Sequence, residues 1–132
     1  MAGPERDSFT VLVVEDDEEL RETVNEVLRE NGFQVQGASN GREALDWLKS
    51  HASDRVCLIL LDVMMPIMDG RGFRLAQLAD PELAPIPVVL FSAHQDVAQM
   101  AAELRVTDFI VKPPRLDRLL DTVAKHCPCM EC

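Results

Sequence analysis

Apolar positions along this chain come in short dense runs, separated by stretches where they recur every three to four residues. TVLVV (10–14), VCLILL (56–61) and VVLF (88–91) are continuous enough to predict strands buried on both faces. FQVQGA (33–38) alternates instead, as an edge strand with one wetter face does, and Val106 to Val111 supplies a fifth strand. Leu20, Val24, Val27 and Leu28 keep helical spacing through to Glu30, where Asn31-Gly32 stops the helix. Asn40 followed by Glu43 predicts a capping box, opening a helix with Ala44, Leu45 and Leu48 on its inner side. Pro66 and Asp69-Gly70 make a long turn into a short helix carried by Phe73, Leu75 and Leu78. Pro81, Pro85 and Pro87 bound an irregular link. Asp96 to Leu104 predicts a fourth helix, and Leu116, Leu119, Leu120 and Val123 line a fifth.

Five strand–helix units without a hairpin turn predict an α/β fold, a doubly wound parallel sheet covered on both faces. Such sheets place their sites at the carboxyl ends of the strands, near the point where strand order reverses. The residues at those ends are Glu15-Asp16, Asp62, Ser92 and Lys112-Pro113. Taken singly, each has an ordinary explanation. An Asp after a strand often starts a turn or caps a helix. Asp17, Glu18 and Glu19 fall in a first helical turn, where the dipole favours acids. As a set they end separate strands on one edge of one sheet. If the first and third strands are neighbours, Glu15, Asp16 and Asp62 share a crevice and repel one another. A hard divalent cation such as Mg²⁺ relieves that repulsion. Asp62 would then be a carboxylate nucleophile for a phosphoryl group, with Ser92 and Lys112 meeting the transferred oxygens.

Charge and composition narrow the partners. The 132 residues include 13 Lys and Arg against 23 Asp and Glu, a formal charge of −10. That surface repels phosphate backbones, so direct nucleic-acid binding is not expected. MAGPERDSF has no basic region followed by an apolar one, and no apolar run is long enough to span a bilayer. A cytoplasmic protein with no membrane association is the expectation. Of the 4 cysteines, Cys57 sits in an apolar run and reads as a small packing residue. Cys127, Cys129 and Cys132 crowd the end of the chain, which is not the framework of a secreted domain.

The segments VLVVEDDEEL, LLDVMMPIMDG, VVLFSA and DFIVKP, in this order and spacing, resemble the receiver domain of two-component response regulators. The likeness runs from about Thr10 to Lys125. It implies a five-stranded, flavodoxin-like fold with strand order 2-1-3-4-5. It makes Asp62 the phosphoacceptor, the modified residue, and Asp16 and Asp62 direct ligands of Mg²⁺, for which Mn²⁺ could substitute. Glu15 would act mostly through water, and the carbonyl of Met64 would be a further ligand. Ser92 matches the family's hydroxyl position, Lys112 its lysine and Phe109 its aromatic switch position, so Ser92 and Phe109 form the switch pair. The Lys112-Pro113 bond is cis in the family, which puts the ammonium where it is needed. Phe109 lacks the hydroxyl of the common Tyr, Arg105-Val106 replaces a frequent Gly-Ala, and Pro114 replaces a common Phe.

The expected organisation is a leader (1–9), a receiver domain (10–126) and a cysteine-rich tail (127–132). The tail HCPCMEC nominally offers zinc ligands, but C-x-C-x-x-C without a second knuckle reads as solvated chain. The implied function is that of a single-domain response regulator. It takes a phosphoryl group from a histidine kinase or histidine phosphotransfer protein and later loses it by hydrolysis. This is self-modification rather than turnover of a separate substrate. Signalling is expected through protein contacts on the face of the fourth helix, fifth strand and fifth helix. Two other readings stand beside it. One is a phosphorylation-independent pseudo-receiver acting as a binding module. The other is a dehalogenase-type enzyme, disfavoured because Met64 stands where that class has a second Asp.

Overall fold

The computed structural model describes residues 9–51, 56–93 and 95–127. Strands and helices alternate in the order β1 (Thr10–Val14), α1 (Glu18–Glu30), β2 (Gln34–Ala38), α2 (Gly41–Ser50), β3 (Val56–Leu61), α3 (Gly70–Leu78), β4 (Val88–Ser92), α4 (Val97–Leu104), β5 (Asp108–Val111) and α5 (Leu116–His126). All strands pair in parallel, in the order β2-β1-β3-β4-β5. The doubly wound, flavodoxin-like arrangement is therefore the one the pattern predicts. His94, Cys129 and Cys132 lie outside the described residues, as do residues 1–8 of the leader and the other tail residues after Cys127.

The continuous apolar runs are explained by burial on both sides of the sheet. Leu12, Val14, Ile59, Leu61, Val88 and Leu90 point to one face, where Ala44 and Leu48 of α2, Phe73 of α3 and Val97 and Leu104 of α4 cover them. Their neighbours Val11, Val13, Leu58, Leu60, Val89 and Phe91 point to the other, under Val24 and Leu28 of α1 and Leu119 and Val123 of α5. Each large side chain removed from water in this way contributes about 1.5–3 kcal/mol. The register aligns the carboxyl ends that matter: Val14 pairs with Leu61, Leu61 with Leu90, and Ser92 with Val111.

Capping follows the sequence with one shift. Asn40 Oδ1 accepts the Glu43 N–H at 2.8 Å, but the Glu43 carboxylate reaches back to the Ser39 N–H, one residue before the cap. Asp17 caps α1 by accepting the Leu20 N–H, and Asp69 caps α3 by accepting the Gly72 N–H.

Three readings are corrected. On α3, Phe73 is buried, but Leu75 and Leu78 are exposed while Arg74 and Gln77 face inward. The buried guanidinium is satisfied by donating to the carbonyls of Leu104 (2.9 Å) and Arg105 (2.6 Å) and to Gln77 Oε1 (2.7 Å). Gln77 in turn donates to the carbonyls of Leu83 and Ile86. Likewise Leu116, expected on the inner side of α5, is 54% exposed at its first turn. The fifth strand starts at Asp108 rather than Val106, because Val106 closes the end of α4 by donating to the Ala101 carbonyl, with Arg105 in the left-handed region at φ 56°.

The cysteines supply the third correction. Cys57 is not a free packing residue, and Cys127 is not solvated tail. They form a disulfide across 70 residues, and Cys127 is 1% exposed within the layer under α1 and α5. Closing so long a loop stabilises a fold by about 4 kcal/mol in the chain-entropy account.

Candidate functional site

Five chain segments meet at the carboxyl edge of the sheet. Backbone pairing holds them there: the Glu15 N–H donates to the Ala38 carbonyl, the Asp62 N–H to Val14, and the Lys112 N–H to Ser92, each at 3.0 Å. Glu15, Asp16, Asp62, Met64, Ser92 and Lys112, all singled out from sequence, line one pocket of about 530 Å³ together with Asp17 and Ala93. Phe109 does not line it. Its ring lies half-buried against the layer under α4, on β5, the strand that leads into Lys112. The Lys112-Pro113 peptide is cis.

The three acids are not equivalent. Glu15 is 1% and Asp62 4% exposed, whereas Asp16 faces solvent. Ligand oxygens of the three lie within 4.8 Å of one another. The Lys112 ammonium sits directly against Glu15 Oε1 and 3.5 Å from Asp62 Oδ2, with the Phe91 ring 5.0 Å away. Glu15 Oε2 accepts the Asp17 N–H at 3.1 Å, while the buried Oε1 is faced by the Lys112 ammonium. Burial, followed by the negative charge of Glu15, pushes the Asp62 carboxyl up to about 7, against the opposing pull of Lys112. One lysine therefore does not neutralise this cluster. The oxygen-only donor set and the convergence of its atoms fit a hard divalent cation.

Sequence reasoning missed several residues that build the site. Arg21 Nη1 donates to the Glu15 carbonyl at 2.8 Å and ties α1 to the end of β1. A Cβ on Gly70 would come within 2.6 Å of the Asp62 carbonyl oxygen, so only glycine lets α3 start so close to Asp62. Asp69-Gly70 reads as a turn in sequence, but nothing local reveals what it packs against. Ile67 holds φ 68°, a left-handed conformation uncommon for a β-branched residue, in the loop that follows Asp62.

A sequence model of the response regulator receiver domain matches residues 11–124. The chain belongs to the response regulator receiver family. It is 38% identical to response regulator MprA of Mycolicibacterium vanbaalenii over 114 residues, 83% of this chain and 46% of the relative. Transcriptional regulatory protein PdtaR of Mycobacterium tuberculosis is 30% identical over 129 residues, 93% of this chain and 61% of the relative. The receiver thus spans about half the length of the MprA proteins and somewhat more of PdtaR. In three dimensions it is similar to the chemotaxis response regulator CheY4 of Vibrio cholerae, with a TM-score of 0.78 and 29% identity over 88% of this chain and 96% of that one. Membership of this family sets aside the dehalogenase-type reading. Among the described residues of this receiver, no helix is long and apolar enough to cross a membrane.

Proposed function

We propose that this receiver takes a phosphoryl group onto Asp62 from a phosphohistidine of a histidine kinase or phosphotransfer protein, and signals by the change of surface that follows. The observation that carries the reading is the buried Asp62 carboxylate, 4% exposed, in one pocket with Lys112, Ser92 and three further acids. An Asp62 oxygen attacks phosphorus, the bond from phosphorus to the donor imidazole breaks, and an acyl phosphate is left on the chain. Lys112 turns from Glu15 and Asp62 toward the transferred oxygens, and the Ser92 hydroxyl donates to another of them. Asp16 and Asp62 would ligate Mg²⁺ directly, Glu15 through water, and Met64 through its carbonyl, with Mn²⁺ an acceptable substitute. The cation, when bound, offsets charge on the phosphoryl oxygens. Water attack on phosphorus later returns the free carboxylate, so the chemistry is self-modification.

Ser92 and Phe109 form the switch. As Ser92 moves toward the phosphoryl group it vacates space beside β4, into which the Phe109 ring packs further. The surface read by a downstream protein is the face of α4, β5 and α5, where Val111 and Leu116 are 53% and 54% exposed. The receiver unit is taken as residues 10–126, acting in the cytoplasm, with a net charge of −10 that disfavours direct contact with nucleic acid. The test is incubation with acetyl phosphate and Mg²⁺, followed by intact mass. One added phosphate that requires Mg²⁺ and disappears in Asp62→Asn is expected. Uptake undiminished in that variant contradicts the assignment, and no uptake at all favours a phosphorylation-independent binding module.

A further inference from the structure

The opposite edge of the sheet carries a second chemical cluster, remote from the phosphorylation pocket. Cys57, at the second position of β3, is bonded to Cys127, which ends α5. Beside them is a pocket of about 420 Å³ lined by Phe9, Val56, Cys57, Pro85, Ile86 and His126. The lining includes Cys57, 7% exposed, but not Cys127, 1% exposed, so Cys57 is the member of the pair that borders the pocket. Among the residues lining this pocket the titratable side chain is His126, adjacent in sequence to Cys127. Its Nε2 lies 3.3 Å from Asp108 Oδ2, which fixes the ring by that nitrogen and turns Nδ1 away from the carboxylate. Asp108 also faces Lys125 and Arg118, each at 4.0 Å.

We propose that Cys57–Cys127 is a reversible thiol–disulfide exchange site for a low-molecular-weight thiol, which enters through this apolar pocket and attacks Cys57. The thiolate sulfur bonds to Cys57 Sγ, the Cys57–Cys127 bond breaks, and Cys127 leaves with the bonding pair. Cys127 sits at the carboxyl end of α5, where the helix dipole disfavours an anion, so its departure requires a proton. The His126 imidazolium, oriented by Asp108, supplies it. A second thiolate then attacks the sulfur of the bound thiol, and Cys57 leaves and is protonated. Two thiols are oxidised to their disulfide, and the protein pair is reduced by two electrons. The Thr10 carbonyl, 3.6 Å from Cys57 Sγ, is placed to accept the new thiol's hydrogen. The consequence is mechanical: the disulfide is the covalent tie between the end of α5 and the sheet, and opening it releases that end.

The test equilibrates the full folded chain with glutathione and its disulfide over a range of ratios, quenches with acid, alkylates, and maps modified peptides by mass. A second arm repeats this in Cys129→Ser/Cys132→Ser, which removes exchange with those two thiols. The pair is expected to open and re-form reversibly with the ratio, the transient glutathione adduct falling on Cys57. Opening slows on the order of a hundredfold in His126→Gln, the low end of general-acid assistance. Asp108→Asn, which keeps the imidazole, slows it less. Hydrogen exchange is expected to rise at the last turn of α5 when the pair opens, with β1 and β3 unchanged. A pair that resists every ratio until denaturant is added, an adduct on Cys127, or His126→Gln and Asp108→Asn both exchanging at the parent rate each overturn the proposal.

Discussion

Asp62 shares with Glu15 a place that is both buried and crowded by like charge. Its carboxyl is held up to about 7 by burial and Glu15, and Lys112 only partly offsets this. Asp16 and Asp17 are adjacent and chemically alike, yet only Asp16 contributes an oxygen to the converging trio, while Asp17 accepts the Leu20 N–H as a helix cap. Asp16→Asn is therefore expected to weaken Mg²⁺ binding on the order of 10- to 100-fold, and Asp17→Asn to change it little, by titration calorimetry. Equal affinities would remove Asp16 from the ligand set. Asp108 behaves in the opposite sense to Asp62. Burial alone would raise it, but the Phe109 N–H, His126 and Lys125 together hold its carboxyl below the ordinary 3.8. The stabilisation is thus present above that pH and is lost as pH falls below it. Asp108→Asn should lower stability near neutral pH by about 0.5–1 kcal/mol, with the difference gone at about pH 2 in urea titrations. A difference that persists there would mean packing rather than charge.

At the scale of elements, the strands were legible because burial on both faces leaves an uninterrupted apolar signature, as in VCLILL. The third helix was legible in position but not in facing. Periodicity assigned Leu75 and Leu78 inward, whereas Arg74 and Gln77 are the buried pair, satisfied by carbonyls some thirty and six to nine residues away. No local pattern announces such partners. The same network explains Arg105, which takes a left-handed cap conformation better suited to glycine while its carbonyl accepts from Arg74. Arg105→Gly should raise stability by about 1 kcal/mol, and Arg74→Met should lower it by about 2–4 kcal/mol because several buried acceptors lose their donor. Chemical denaturation of the two variants checks both signs. An unchanged midpoint for Arg74→Met would show that water replaces the guanidinium.

For the whole molecule, topology does the assembling. Three of the acids come from the ends of β1 and β3, which the order β2-β1-β3-β4-β5 makes neighbours, and the lysine from the end of β5, beyond β4 and its Ser92. That much was legible, because each strand run is immediately followed by its polar terminator. The Cys57–Cys127 link was not legible, since a cysteine inside a strand and one beyond the last helix carry no signal of proximity across 70 residues. The same topology predicts how far a change at Asp62 travels. Amide shifts on phosphorylation should extend from Ser92 through β5, and Ser92→Ala should blunt them while leaving Mg²⁺ affinity within about twofold, since Ser92 is outside the acidic trio. Shifts confined to the loop after Asp62 would mean the switch pair is not engaged. The central claim, that Asp62 is the phosphoacceptor, is tested most directly by trapping. Borohydride reduces an acyl phosphate to the alcohol, and fragmentation of the peptide then names the residue. Homoserine at position 62 and nowhere else, dependent on acetyl phosphate and Mg²⁺, is the predicted result; homoserine at position 16 or 17, or none in protein that has gained a phosphate, would contradict it.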